Sequence, residues 1–128
     1  MSIKDKLRVL VVDDTSTSRG LLLQALDGLG IGNVASAPDG EAALRSLNAK
    51  PVHLVISDYH MPKMDGLALL QRMRSQATTA KTGFILVSGR ADEQVLAVGR
   101  KLRMNNVVTK PFTPAQLRGA IEAVVGRL

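Results

Sequence analysis

Short apolar runs alternate along the chain with longer segments in which apolar residues recur at helical spacing. Most runs are β-branched and continuous, which favours strands of a parallel sheet that is covered by helices on both faces. Five such runs are present, at residues 9–12, 34–37, 54–56, 84–87 and 107–108. The pattern therefore predicts five short strands.

Each apolar run is followed by the signals of a helix. Residues that share one helical face indicate the first and fourth helices. They are Leu22, Ala25, Leu26 and Leu29 in the first helix, and Val95, Val98, Gly99 and Leu102 in the fourth. Aspartates suited to N-capping precede the second, third and fourth helices, at Asp39, Asp65 and Asp92. Gly66 indicates a helix start packed closely against a neighbour, and Thr113 with Gln116 predicts a capping box on the fifth helix.

Five strand–helix units in 128 residues predict a single α/β domain over residues 1–128. The expected architecture is a doubly wound five-stranded parallel sheet with five helices. In such folds ligands bind beyond the carboxyl ends of the strands. The residues that follow each strand are therefore the first place to look for function.

Composition excludes several classes of protein. The chain has no cysteine, so disulfides and thiolate metal sites are absent. The charged N-terminus does not resemble a signal peptide, and no stretch approaches the roughly 20 apolar residues of a membrane span, so we expect a cytoplasmic protein. The net charge of +6 would permit nucleic-acid binding. The aromatic content of 2% argues against a base-stacking surface, and we find no DNA-recognition helix after the predicted strand–helix units.

Charged and polar residues stand directly after four of the predicted strands. They are Asp13 and Asp14, Asp58, Ser88 with Gly89, and Lys110 with Pro111. Singly, an aspartate here is usually a cap or turn residue, and Lys110 a solvated charge. Together they would bring three carboxylates, a hydroxyl and an ammonium to one rim. Three carboxylates repel one another, and a hard cation such as Mg²⁺ relieves that repulsion.

Phosphoryl transfer has a role for every member of this group. A carboxylate can attack phosphorus as a covalent nucleophile. A metal ion and a lysine can share the charge of the phosphoryl oxygens, and the hydroxyl of Ser88 can hydrogen-bond one of them. Gly89 has no side chain and so leaves room for a phosphoryl group to approach the ends of the strands. The pattern predicts a magnesium-assisted phosphoryl acceptor.

At these positions the sequence resembles the receiver domain of two-component response regulators, over essentially its whole length. The matching segments are VVDD, SDYHMPKMDG, VSG and KPF, at residues 11–14, 57–66, 87–89 and 110–112. The resemblance implies a flavodoxin-like sheet with strand order 2-1-3-4-5. It also implies that Asp58 accepts phosphate from the phosphohistidine of a sensor histidine kinase. The protein would then be a signalling switch that catalyses only its own phosphorylation and slow dephosphorylation.

The resemblance also implies the roles of the other site residues. Four groups would hold Mg²⁺: the carboxylates of Asp13, Asp14 and Asp58 and the main-chain carbonyl of His60. Asp14 would bind the ion directly and Asp13 largely through water. Lys110 would pair with the phosphoryl group, Ser88 would move to hydrogen-bond it, and the Lys110–Pro111 bond would be cis.

The segment 16–19 and the lack of an output domain make the chain similar to single-domain chemotaxis response regulators. Such a protein would be a monomer that binds a target, for example the flagellar motor switch, through the face from the fourth to the fifth helix, or it would serve as a phosphate sink. Val107 departs from the family pattern, which has an aromatic residue three positions before the lysine. His60 and Arg90 occupy positions that, in that family, tune the lifetime of the phosphate.

Two other functions share this architecture. A flavodoxin-like carrier could use the hydroxyls of residues 15–18 to hold the phosphate of FMN, although Asp13 and Asp14 would repel that phosphate. A magnesium-dependent phosphatase could use Asp58 as its nucleophile. Such an enzyme needs an acid shortly after the nucleophile, and His60 is the residue that could supply it.

Overall fold

The computed structural model describes residues 3–89 and 92–128. Five strands are present within these residues: β1 Val9–Val12, β2 Val34–Ala37, β3 Leu54–Asp58, β4 Gly83–Ser88 and β5 Asn106–Thr109. Six helices accompany them: α1 Ile3–Lys6, α2 Ser16–Gly28, α3 Gly40–Ala49, α4 Gly66–Arg74, α5 Glu93–Lys101 and α6 Pro114–Val125. All five predicted strands are confirmed. The prediction of five helices was one too few, because α1 is a single turn with no buried residue and has no periodicity to detect.

The five strands form one parallel sheet in the order β2-β1-β3-β4-β5, as the family resemblance implied. In register, Val12 of β1 is aligned with Ser57 of β3, Asp58 with Val87 of β4, and Ser88 with Thr109 of β5. The strand order reverses between β1 and β3, and this switch point is where doubly wound folds bind their ligands. The residues that follow β1 and β3 therefore meet at the position expected for a site.

Alternate residues of the central strands supply two hydrophobic cores, one on each face of the sheet. Leu10, Val55 and Phe84 point to the core that lies under α3, α4 and α5. The strand residues that alternate with these lie in the core on the other face of the sheet, together with the buried side of α2 and α6. Strands β1, β3 and β4 are buried along their full length, which explains their continuous apolar sequences.

The predicted helix starts are confirmed. The carboxylates of Asp39, Asp65 and Asp92 each accept a hydrogen bond from the backbone N–H three residues later, at 2.8, 2.8 and 2.9 Å. Thr113 and Gln116 form the predicted capping box. These caps satisfy N–H groups that have no acceptor within the helix.

The face predicted for the fourth helix, which is α5 in the structure, was partly wrong. Val95 and Gly99 of α5 are buried, but the side chain of Val98 is 45% exposed. The buried stripe of this short helix contains Val95 and Gly99, and Gly99 packs so closely on Met104 that an added Cβ would lie 2.7 Å from the Met104 methyl carbon. Val98 lies beside that stripe and faces solvent.

The guanidinium of Arg74 ties two loops together at the edge of the sheet opposite the predicted site. It donates hydrogen bonds to main-chain carbonyls in two segments, namely those of Leu102, Thr79, Ala80, Thr82 and Arg103. Burial lowers the pKa of this guanidinium, and the nearby charge of Arg103 lowers it further. Across residues 3–89 and 92–128, no helix has the length and apolar character that crossing a bilayer requires.

Candidate functional site

Three carboxylates converge at the carboxyl ends of β1 and β3. One oxygen each from Asp13, Asp14 and Asp58 lies within 4.8 Å of the other two. Asp13 is fully buried and Asp58 is 7% exposed, whereas Asp14 is open to solvent. The sequence thus correctly predicted which three acids would meet.

One carboxylate oxygen of Asp13 is buried without a hydrogen-bond donor among the described residues. The Oδ1 atom of this residue accepts a hydrogen bond from the Thr15 N–H at 3.0 Å. Its Oδ2 is buried, and the described residues offer it no hydrogen-bond donor. A buried carboxylate oxygen without a partner is costly, and a bound cation would remove that cost. The donor set, all oxygen and triply acidic, fits a hard divalent ion such as Mg²⁺.

Asp58 is paired with the predicted lysine. Lys110 Nζ lies 2.9 Å from Asp58 Oδ1, and the side chains are 31% and 9% exposed respectively. Burial is the largest influence and raises the pKa of the Asp58 carboxyl; the hydrogen bond and charge of Lys110 oppose it, and the charge of Asp13 adds to it. The carboxylate is thus held in a poorly solvated place next to one compensating cation.

The end of β5 fixes the backbone that carries the lysine. The Lys110 N–H donates to the carbonyl of Ser88 at 2.8 Å, and the Lys110–Pro111 bond is cis, as the resemblance implied. The ammonium also donates to Ser18 Oγ at 3.1 Å, a contact that sequence analysis did not anticipate. Its only trace in the sequence is the run of hydroxyl residues at the start of α2.

Comparison with known proteins agrees with this geometry. Residues 9–122 match the model of the response regulator receiver domain. The chain belongs to the receiver family. It is 46% identical to the Rhizobium etli protein named "Probable chemotaxis protein CheY" over 100% of this chain and 99% of the relative. It is also 33% identical to chemotaxis protein CheY1 of Helicobacter pylori, covering 94% of this chain and 98% of that protein.

Solved structures lead to the same family. The chemotaxis protein CheY4 of Vibrio cholerae superposes with a TM-score of 0.86 at 26% identity, covering 92% of this receiver and 98% of that chain. The chain is thus similar to chemotaxis receivers in sequence and in structure, and its membership of the receiver family speaks against the flavodoxin and phosphatase alternatives.

The remaining predicted residues lie at or just after the carboxyl ends of β3 and β4. Ser88 ends β4 and is 1% exposed. His60 follows β3 with its side chain exposed, and its ring centroid lies 4.8 Å from that of Tyr59. A Cβ added to Gly89 would meet no atom within 4 Å, so the approach there is open even without a glycine. Arg90 lies outside the described residues.

Val107 stands on β5 where the family pattern has an aromatic residue. It is partly buried and packs against the core under α3, α4 and α5. Its backbone is aligned with Leu86 of β4. A β-branched side chain held in this way has little rotational freedom about χ1.

Proposed function

We propose that this receiver is the phospho-accepting response regulator of a chemotaxis pathway and takes its phosphoryl group from a histidine kinase onto Asp58. The observation that carries the proposal is the position of the Asp58 carboxylate, which lies 2.9 Å from the Lys110 ammonium and has an oxygen within 4.8 Å of the carboxylates of Asp13 and Asp14. That residues 1–128 form one receiver domain stays a prediction.

The residues that would hold Mg²⁺ are Asp13, Asp14 and Asp58 through their carboxylates and His60 through its main-chain carbonyl. The unpartnered Oδ2 of Asp13 supports this assignment. When bound, magnesium neutralises charge on the phosphoryl oxygens.

Asp58 is the nucleophile in this proposal. One of its carboxylate oxygens attacks the phosphorus of the phosphohistidine, the P–N bond breaks, and the bonding electrons stay on the imidazole nitrogen. Lys110 stabilises the charge of the transferred group, because its ammonium already lies at the nucleophile. The Ser88 hydroxyl then donates a charge-assisted hydrogen bond to a phosphoryl oxygen.

The proposed partner surface runs from α5 through β5 to α6. Residues 90–128 contain seven basic and three acidic side chains, a difference of +4. Arg100, Lys101 and Arg118 are exposed on the helices of this surface, as is the apolar side chain of Val98 on α5. We expect an acidic partner, the flagellar motor switch or a kinase domain, whose association rate falls as salt rises.

The transmitting element differs from that of relatives with an aromatic residue at position 107. Since Val107 is short and stiff, the movement of Ser88 would reach the partner surface through the loop that leads into α5. Ser88→Ala should then abolish the gain in partner affinity that beryllofluoride produces, whereas Val107→Ala should preserve it. The reverse result would refute this route.

The test of the function is phosphorylation by acetyl phosphate with Mg²⁺, followed by intact-protein mass spectrometry. The wild type should gain one phosphoryl group and Asp58→Asn none. Asp39→Asn is the matched control, since asparagine can replace an aspartate N-cap, and it should label like the wild type. Labelling of Asp58→Asn at the wild-type level would refute the proposal.

A further inference from the structure

Lys110 has two side-chain acceptors in the structure. Its Nζ lies 2.9 Å from Asp58 Oδ1 and 3.1 Å from Ser18 Oγ. Ser18 belongs to the first turn of α2 and lies 92 positions before Lys110 in the chain. The hydrogen bond therefore joins the start of α2 to the end of β5 directly beside the acidic cluster.

We infer that Ser18 is a positioning residue for the phosphorylation of Asp58. Its hydroxyl oxygen holds the Lys110 ammonium where the incoming phosphoryl group needs a positive charge. The inference rests on the function proposed above and assigns to α2 a part in the chemistry.

The need for such a residue follows from the nature of lysine. An ammonium on a flexible four-carbon stem is a mobile and strongly hydrated charge. The Lys110 side chain is 31% exposed, so water competes for it. With Asp58 as its single protein acceptor, the ammonium would be free to pivot about that contact. A second acceptor on another element restricts the pivot before the substrate arrives, and this preorganisation lowers the barrier.

The chemistry of the second acceptor also matters. A hydroxyl is uncharged, so it restrains the ammonium without competing strongly with Asp58 or with the phosphoryl oxygens for the positive charge. Ser18 is half-buried, whereas Ser16 in the same turn is exposed. Ser16→Ala is thus a matched control that removes a hydroxyl from the same helix start.

The experiment measures the rate of labelling by acetyl phosphate at saturating Mg²⁺, together with the affinity for beryllofluoride. Ser18→Ala should lower both by roughly three- to tenfold, the range that one net hydrogen bond supports. Its melting temperature and its affinity for Mg²⁺ should stay those of the wild type. Ser18→Thr should restore the rate, and Ser16→Ala should not change it.

A double-mutant cycle identifies the route of the effect. If Ser18 acts through the ammonium, Ser18→Ala should have no further effect in a Lys110→Met background. A wild-type rate for Ser18→Ala, or an equal loss with and without Lys110, would overturn the inference while leaving Asp58 as the phosphoacceptor. Failure of the wild type to label, or labelling of Asp58→Asn, would instead overturn the proposed function, and the inference with it.

Discussion

At Gly66 the start of a helix packs closely against the main chain of Asp58, the proposed nucleophile. Gly66 is the first residue of α4, and its N–H donates to the Tyr59 carbonyl at 2.9 Å. A Cβ at this position would lie 2.6 Å from the carbonyl oxygen of Asp58 and 2.7 Å from a methyl carbon of Leu86. The Leu86 atom belongs to a side chain, but the carbonyl is main chain in the buried strand β3 and cannot move aside as a flexible side chain can.

Gly66→Ala should therefore destabilise the protein. Relieving the contact requires a displacement of about 1 Å, and overpacking of this kind costs roughly 1–3 kcal/mol. The better helix propensity of alanine offsets at most about 1 kcal/mol of that cost. With a net loss of about 1–2 kcal/mol, the melting temperature of a domain of this size should fall by roughly 3–10 °C.

The control is Gly20→Ala in α2, where an added Cβ meets nothing within 4 Å. Thermal unfolding should show this variant unchanged or stabilised by up to about 1 kcal/mol. Because the displaced carbonyl belongs to Asp58, Gly66→Ala should also be labelled more slowly by acetyl phosphate than Gly20→Ala. The reasoning fails if Gly66→Ala melts and labels like the wild type.

Three further predictions concern stability in metal-free buffer. Lys63 adopts a left-handed φ of 68°, so Lys63→Gly should stabilise the protein by about 0.5–1 kcal/mol in urea unfolding, and a loss would contradict this. Arg74→Met should lower the free energy of unfolding by about 2–4 kcal/mol, because several loop carbonyls lose their donor. The control Arg72→Met, on the exposed side of α4, should lower it by less than about 0.5 kcal/mol. Similar losses in the two variants would refute the role of Arg74. Since burial raises the pKa of Asp58 above 3.8, the native state binds that proton more tightly than the unfolded state does. The stabilising contribution of Asp58 is therefore present below pH 3.8 and is lost as pH rises through the raised pKa. The free energy of unfolding of Asp58→Asn should rise relative to that of the wild type across that pH window. A difference between the two that does not change with pH would refute this prediction.

Local signals made most of the fold predictable. A continuous β-branched run such as 84–87 has few alternatives to a buried strand, and the aspartates before α3, α4 and α5 cap those helices through atoms only three residues away. The convergence of Asp13, Asp58 and Lys110 was predictable for a topological reason. Parallel strands deliver their carboxyl ends to one edge, so residues that follow the strands meet there whatever their separation in sequence.

Contacts that depend on three-dimensional packing were not predictable. The bond between Lys110 and Ser18 spans 92 positions, and nothing in either segment specifies the other. The exposure of Val98, which was predicted on the same face as the buried Val95 and Gly99, is set by how α5 packs on the core, and helical periodicity does not reveal this. Arg74 reads as a surface charge at a helix end, yet its acceptors come from two loops that only the tertiary fold brings together.

The strand that carries Asp58 and the strand that leads into Lys110 are paired with different numbers of neighbouring strands. Strand β3, which carries Asp58, is clamped by hydrogen-bond ladders to β1 and β4, whereas β5, which leads into Lys110, is held by the single ladder to β4. Under the proposed phosphorylation, a shift of the ammonium would therefore be opposed by one backbone ladder along β5, whereas a shift of Asp58 would be opposed by two along β3. The carboxylates thus stand on strands that are paired on both sides, whereas the lysine follows the edge strand β5, which a partner protein would contact under the proposed function.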